Sequence, residues 1–527
     1  MNYTTFKKPV AALLLASVAA CGGGAPAAGT GGLPAAPLAR RAGAAHPHAA
    51  LTNVVGVGDS LTAGYQAGGF LGALGVNNPL DTFPPNNVVP PGQESGWFAD
   101  LYEQATGFPP GEMYDPSVSP LPLIAGPGLD NQIVASASTV IGQLKSGDAC
   151  TDNNDFNLDG FSLSHLARVR LNPNSPNIRD LGVPGITLHE AIYMRAPLTS
   201  TCQSIPGVPG LLSEVINDES GLFYPVLGGF AGQIAPSRFS MVNIAHDLRP
   251  QLVTVWLGAN DVLKFMGSGG AFTAGDNTVG QVSNDISGVL KTVTANGALA
   301  IVANLPDVLQ APYFMNINIP KNANACKIRQ YFYCFLQDFG LSPTQAEGVT
   351  LTVGKTYGLI PPAGKCVATS TNSPCGYVVL PGALAILSSL EATGKIPNLD
   401  PNGPGSGLGA SYITPAFATR VQNLNNVVNE GIAQGAQSRG VPMVDVRTIF
   451  AGLVSGDPHN PYFQLAQVNP GVCCYAAYLG GTLSFDGIHP SNTGYAIIAY
   501  EFIATLNAKY NLHIPEVPIQ KIYAGLP

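Results

Sequence analysis

The sequence predicts an α/β fold in which a parallel sheet is covered by helices and interrupted by large irregular insertions. Short apolar runs rich in β-branched residues, at 54–57, 252–257, 299–305 and 441–446, read as strands buried on both faces. Amphipathic stretches lie between and after them: Val282, Ile286, Val289 and Val293; Val421, Leu424, Val428 and Ile432; Tyr495, Ile498, Phe502 and Leu506. Each keeps the three-to-four spacing of a helix with one buried face. Strand–helix–strand alternation implies parallel pairing with helices on both faces. In such sheets ligands bind beyond the carboxyl ends of the strands.

Composition and the N-terminus set the context. The 527 residues are 46% apolar and 11% charged, with a net charge of -8. That balance supports a large core and offers no basic surface for nucleic acid. Lys7 and Lys8 precede an apolar run from Val10 to Ala20. The run is shorter than the about 20 residues of a membrane-spanning helix and suits a signal-peptide core over 1–20. Val18-Ala19-Ala20-Cys21 resembles the bacterial lipobox, where cleavage leaves an N-terminal cysteine carrying lipid. Gly22, not Asp, follows Cys21. The expectation is export to the bacterial cell envelope, with an outer-membrane address and a lipid anchor in place of a spanning helix. Residues 21–50 are rich in Ala, Gly and Pro and read as a tether. The body then runs over 51–527.

In chain order, the first apolar run ends abruptly in Gly58-Asp59-Ser60-Leu61. A strand that stops this way presents one hydroxyl at a sheet edge, so Ser60 is read as a nucleophile. An insertion over about 66–177 is rich in Pro, Gly and Asn. Within it Asp155, Asn157, Asp159 and Gly160 resemble the first half of a calcium loop, but Leu166 stands where the bidentate acid belongs. A polar turn is the competing reading, and no other cofactor is suggested. Residues 178–187 read as a short strand ending in a turn at Gly185, with Thr187 as a helix cap. A second insertion spans about 195–250. The run at 252–257 ends in Gly258-Ala259-Asn260-Asp261. A third insertion spans about 308–411 and holds four cysteines. Near the end stands Asp486-Gly487-Ile488-His489, followed by the last helix.

Cys21 apart, eight cysteines remain, an even number that reads as disulfides in an exported chain. Cys326–Cys334 and Cys366–Cys375 are the natural short-range pairs, but the connectivity stays open. No Cys-x-x-Cys pair exists to suggest zinc.

Four blocks, Gly58-Asp59-Ser60-Leu61, the Gly185 turn, Gly258-x-Asn260-Asp261 and Asp486-x-x-His489, together resemble the GDSL, or SGNH, hydrolase family. Each block is short; their order beside the expected elements carries the resemblance. It covers about half the mature chain and leaves the insertions unexplained. Asp180 departs from it, since the family often has Asn before the glycine turn. The resemblance implies a three-layer α/β/α flavodoxin-like sheet and a carboxylic ester hydrolase. Ser60, His489 and Asp486 would be its catalytic residues. The backbone N–H groups of Ser60 and Gly185 and the side chain of Asn260 would form its oxyanion hole. The expected substrate is an ester with an apolar acyl or aryl group. Two other readings compete: an acyltransferase or deacetylase acting on surface glycans, and a non-catalytic surface-binding lipoprotein. The dinucleotide fingerprint lacks its third glycine, and neither Gly-x-Ser-x-Gly nor His-Glu-x-x-His occurs.

Overall fold

The computed structural model describes residues 50–65, 95–109, 117–125, 177–193, 238–270, 278–320, 331–360, 375–399, 411–453 and 487–519, with short pieces and single positions at 93, 112–113, 115, 169–170, 175, 226–227, 230, 459–462 and 483. In chain order these contain β1 (Val54–Gly58), α1 (Trp97–Thr106), β2 (Ile124–Ala125), β3 (Val169–Arg170), α2 (Leu188–Tyr193), α3 (Met241–Asp247), β4 (Leu252–Trp256) and α4 (Ala259–Gly267). Next come α5 (Val279–Val293), β5 (Leu299–Ala303), β6 (Phe314–Asn316), α6 (Phe332–Asp338), α7 (Pro343–Thr356), β7 (Tyr377–Val379) and α8 (Leu380–Thr393). The last are β8 (Tyr412–Ile413), α9 (Pro415–Ser438), β9 (Met443–Val444), α10 (Val446–Leu453) and α11 (Asn492–Tyr510).

Four strands form one parallel sheet in the order β1-β4-β5-β9, giving the expected mixed α/β fold. β1 and β4 are buried at every position, which is why, Thr254 apart, their sequences carry no polar residue on either face. The stretch expected as a strand over 178–187 is reduced to one bridge, Gly56 to Asp180. It still runs along the free edge of β1: Gly56 N donates to Arg179 O, Leu181 N to Gly56 O and Val183 N to Gly58 O, at 2.9–3.0 Å. Pro184, which has no N–H to donate, stands directly after the last of these bonds.

Two groups of helices cover the sheet. α1 packs on β1 and against α11, with the rings of Trp97 and Phe502 stacked at 4.2 Å. α3, α5 and α9 form the other group, reaching β1 through α3 and β5 through α9. Among the described residues α5 and α9 pack extensively, and glycines replace side chains where they meet: a Cβ on Gly435 would sit 2.7 Å from Ile286 Cγ2.

The three insertions are only partly irregular. The first contains α1, whose Trp97 and Phe98 are completely buried. The second contains α3, capped by Ser240, whose side chain accepts from Asn243 N. The third folds into the antiparallel sheet β6-β7-β8 with α6, α7 and α8. Its cysteines Cys334 and Cys375 are buried and neither carries a free thiol. The other cysteines lie outside the described residues, as do the signal-peptide and tether segments with Cys21 and the calcium candidates Asp155, Asn157 and Asp159.

Candidate active site

β1 delivers Ser60 two residues beyond its last paired position. The chain then turns at once: Thr62 N and Ala63 N both donate to Asp59 O, and Tyr65 N donates to Ser60 O. The crowding there demands glycines. A Cβ on Gly58 would lie 1.9 Å from Thr62 Oγ1 and 2.9 Å from Trp256 O, so neighbouring backbone and the next turn occupy that space.

His489 comes from the other end of the chain and meets this turn. Its Nε2 lies 2.9 Å from Ser60 Oγ, across 429 positions of sequence, with both side chains buried. The His489 ring packs against Tyr65, centroids 4.8 Å apart, and Tyr495 Oη on α11 donates to Tyr65 O at 2.7 Å. Gly487 holds the approach to His489. It adopts φ +71°, in the left-handed region, and its carbonyl accepts from Tyr313 N at 3.0 Å. The turn that carries His489 is thus fastened to the start of the third insertion. Asp486 lies outside the described residues.

The two remaining blocks meet at the same end of the sheet. Gly182 packs so tightly on the Ser60 turn that a Cβ there would lie 2.5 Å from Ala63 N. Gly185 follows three residues later with φ +83°. From α4, just past β4, Asn260 Nδ2 donates to Ile186 O at 3.0 Å, and Asp261 Oδ2 accepts from Leu188 N at 3.0 Å. Thr187 caps α2 as its sequence suggests: Glu190 N donates to Thr187 Oγ1, and Thr187 N donates back to Glu190 Oε2.

Two buried carboxyls flank these turns. Asp59 is fully buried. Its Oδ1 accepts from Leu61 N at 3.0 Å, while Oδ2 has no hydrogen-bond partner. Burial pushes its pKa up to about 7, opposed by the Leu61 N–H and by nearby His489. Burial likewise pushes Asp180 up to about 8, opposed by the N–H of Gly182, which donates to its Oδ1 at 2.8 Å. The sequence reading gave Asp59 no role of its own, and passed over Tyr65 and the Glu190 contacts. Only the last had a legible signal, the Thr-x-x-Glu spacing of a capping box.

Chemically, the arrangement pairs a hydroxyl with an imidazole nitrogen at proton-transfer distance in a site shielded from water. Among the described residues, no group of three or more metal-ligating side chains gathers. No family model, no curated protein and no solved structure matches the chain.

Proposed function

We propose that the chain is a serine ester hydrolase of the GDSL, or SGNH, type. The observation that carries this reading is the 2.9 Å contact between His489 Nε2 and Ser60 Oγ. A neutral serine hydroxyl is a weak nucleophile, and an adjacent imidazole removes that obstacle. Ser60 Oγ attacks the ester carbonyl while His489 Nε2 takes its proton. The tetrahedral oxyanion is held by the N–H groups of Ser60 and Gly185 and by the Asn260 amide. Asn260 carries two amide hydrogens, and only one is engaged by Ile186 O, so the second remains for substrate. His489 returns the proton to the leaving alcohol, then draws one from water to release the acyl group. By its place in the Asp486-x-x-His489 block, Asp486 is the residue proposed to orient His489 and stabilise the imidazolium.

The hydrogen-bonded edge order, 178–183 beside β1 and then β4, β5 and β9, supports a flavodoxin-like three-layer scaffold, because it is the 2-1-3-4-5 order of that class. The anchor reading rests on Val18-Ala19-Ala20-Cys21 and places the enzyme in the bacterial envelope, tethered at Cys21. Among the described residues no helix is long and apolar enough to cross a membrane. The substrate class follows from the apolar and aromatic content of the insertions: an ester with an apolar acyl or aryl group. Turnover of a nitrophenyl ester series tests this. Activity should rise from acetate towards longer acyl chains; a sharp preference for acetate contradicts the substrate class, and no turnover of any member contradicts the hydrolase.

A further inference from the structure

The oxyanion donors of the proposed reaction come from two separate pieces of chain, the Gly185 turn and α4. Something must fix their spacing, because a donor misplaced by an ångström forfeits most of its effect. Besides the contacts of Asn260 and Asp261, a pair of described side chains also spans the two pieces. Lys264 Nζ donates to both oxygens of Glu190, at 3.1 and 3.0 Å. Lys264 lies four residues after Asn260 on α4 and therefore stands on the same helix face, one turn further along. Glu190 lies in the first turn of α2, five residues after Gly185, and also accepts from Thr187 N at 2.8 Å. The pair is largely withdrawn from water, with side chains 17 and 21% exposed. A lysine in that position is held by its partner: burial lowers its pKa, and Glu190 opposes the shift. Breaking such a pair removes the side-chain tie between α4 and α2.

We infer that Glu190 and Lys264 are a positioning pair that sets the distance between the Gly185 N–H and the Asn260 amide, and so the quality of the oxyanion hole. This rests on the hydrolase reading above. Neither residue touches substrate; both act through Asn260 and the Gly185 turn.

The test is steady-state hydrolysis of p-nitrophenyl butyrate by the full-length protein. Lys264→Met should lower kcat about 10- to 100-fold, with KM changed by less than about twofold. Glu190→Gln keeps an acceptor for Thr187 N, guards against a folding defect and should lower kcat in the same direction. Lys264→Arg should restore part of the loss. In an Asn260→Ala background, Lys264→Met should cost little more, because the group it positions is gone. Unchanged kcat in both single variants overturns the inference, as does an equal loss from Lys264→Met with and without Asn260. An unsubstituted protein that hydrolyses no ester overturns the hydrolase reading and this inference with it.

Discussion

Asp59 and Ser60 are neighbours in sequence with opposite environments in the fold. Ser60 faces His489, while Asp59 turns inward, where one carboxyl oxygen is held by Leu61 N and the other meets nothing. Asp180, on the segment beside β1, is a second buried carboxyl, its Oδ1 accepting from Gly182 N. The folded-state values of about 7 and about 8 lie above the ordinary 3.8. Each group therefore contributes stability that is complete below about pH 4 and is lost as pH rises through its folded value, because the folded state must then carry a buried charge. Asp180→Asn keeps an oxygen for Gly182 N and removes that charge. Urea unfolding should show the variant more stable than the parent at pH 8, on the order of 1–3 kcal/mol, with little difference at pH 4. A difference independent of pH would contradict the assignment. Gly487 makes a second prediction. A Cβ there would stand 3.0 Å from Tyr313 N at a backbone angle that L residues avoid. Gly487→Ala should cost about 1–2 kcal/mol in thermal unfolding and reduce ester turnover through His489. Unchanged midpoint and turnover would show that the turn tolerates a side chain.

At the scale of elements, burial decides what the sequence makes legible. β1, β4 and β5 stand out because both their faces are covered, so Val, Leu, Ile, Ala, Trp and Gly fill every position but Thr254. β6, β7 and β8 do not, because two or three residues are too few to show a period of two, and their partners lie far apart in sequence. α1 is the instructive case. Gly96 provides no side-chain cap, and the surrounding chain is rich in Pro and Gly. Yet Trp97, Phe98, Leu101, Tyr102 and Ala105 have helical spacing and are all buried. Trp97 packs on both Trp256 and Phe502, whose own rings lie 6.3 Å apart, tying α1 to β4 and α11. Trp97→Ala should therefore lower stability by about 3–5 kcal/mol in denaturant unfolding. A cost below about 1 kcal/mol would mean that α1 is an appendage to the sheet.

For the whole molecule, the site is assembled from segments separated by most of the chain. The carboxyl ends of β1 and β4 bring Ser60 and Asn260 to one edge, as parallel pairing requires. That much followed from reading strands and the turns behind them. The approach of His489 followed only from its block, since nothing in local spacing says where a late turn will dock. Its fastening to Tyr313, within the third insertion, had no sequence signal at all, because it is a backbone contact. The same holds for the glycine-lined contact of α5 with α9, which depends on which helices become neighbours.

The central claim is that Ser60 is a nucleophile activated by His489, and covalent labelling reads it most directly. The folded protein is treated with a fluorophosphonate, digested, and the adduct located by mass spectrometry. The account predicts a single adduct on the peptide containing Ser60, absent in Ser60→Ala and formed far more slowly in His489→Ala. A folded protein that takes up no label at Ser60, or takes it up equally fast without the imidazole, would contradict it.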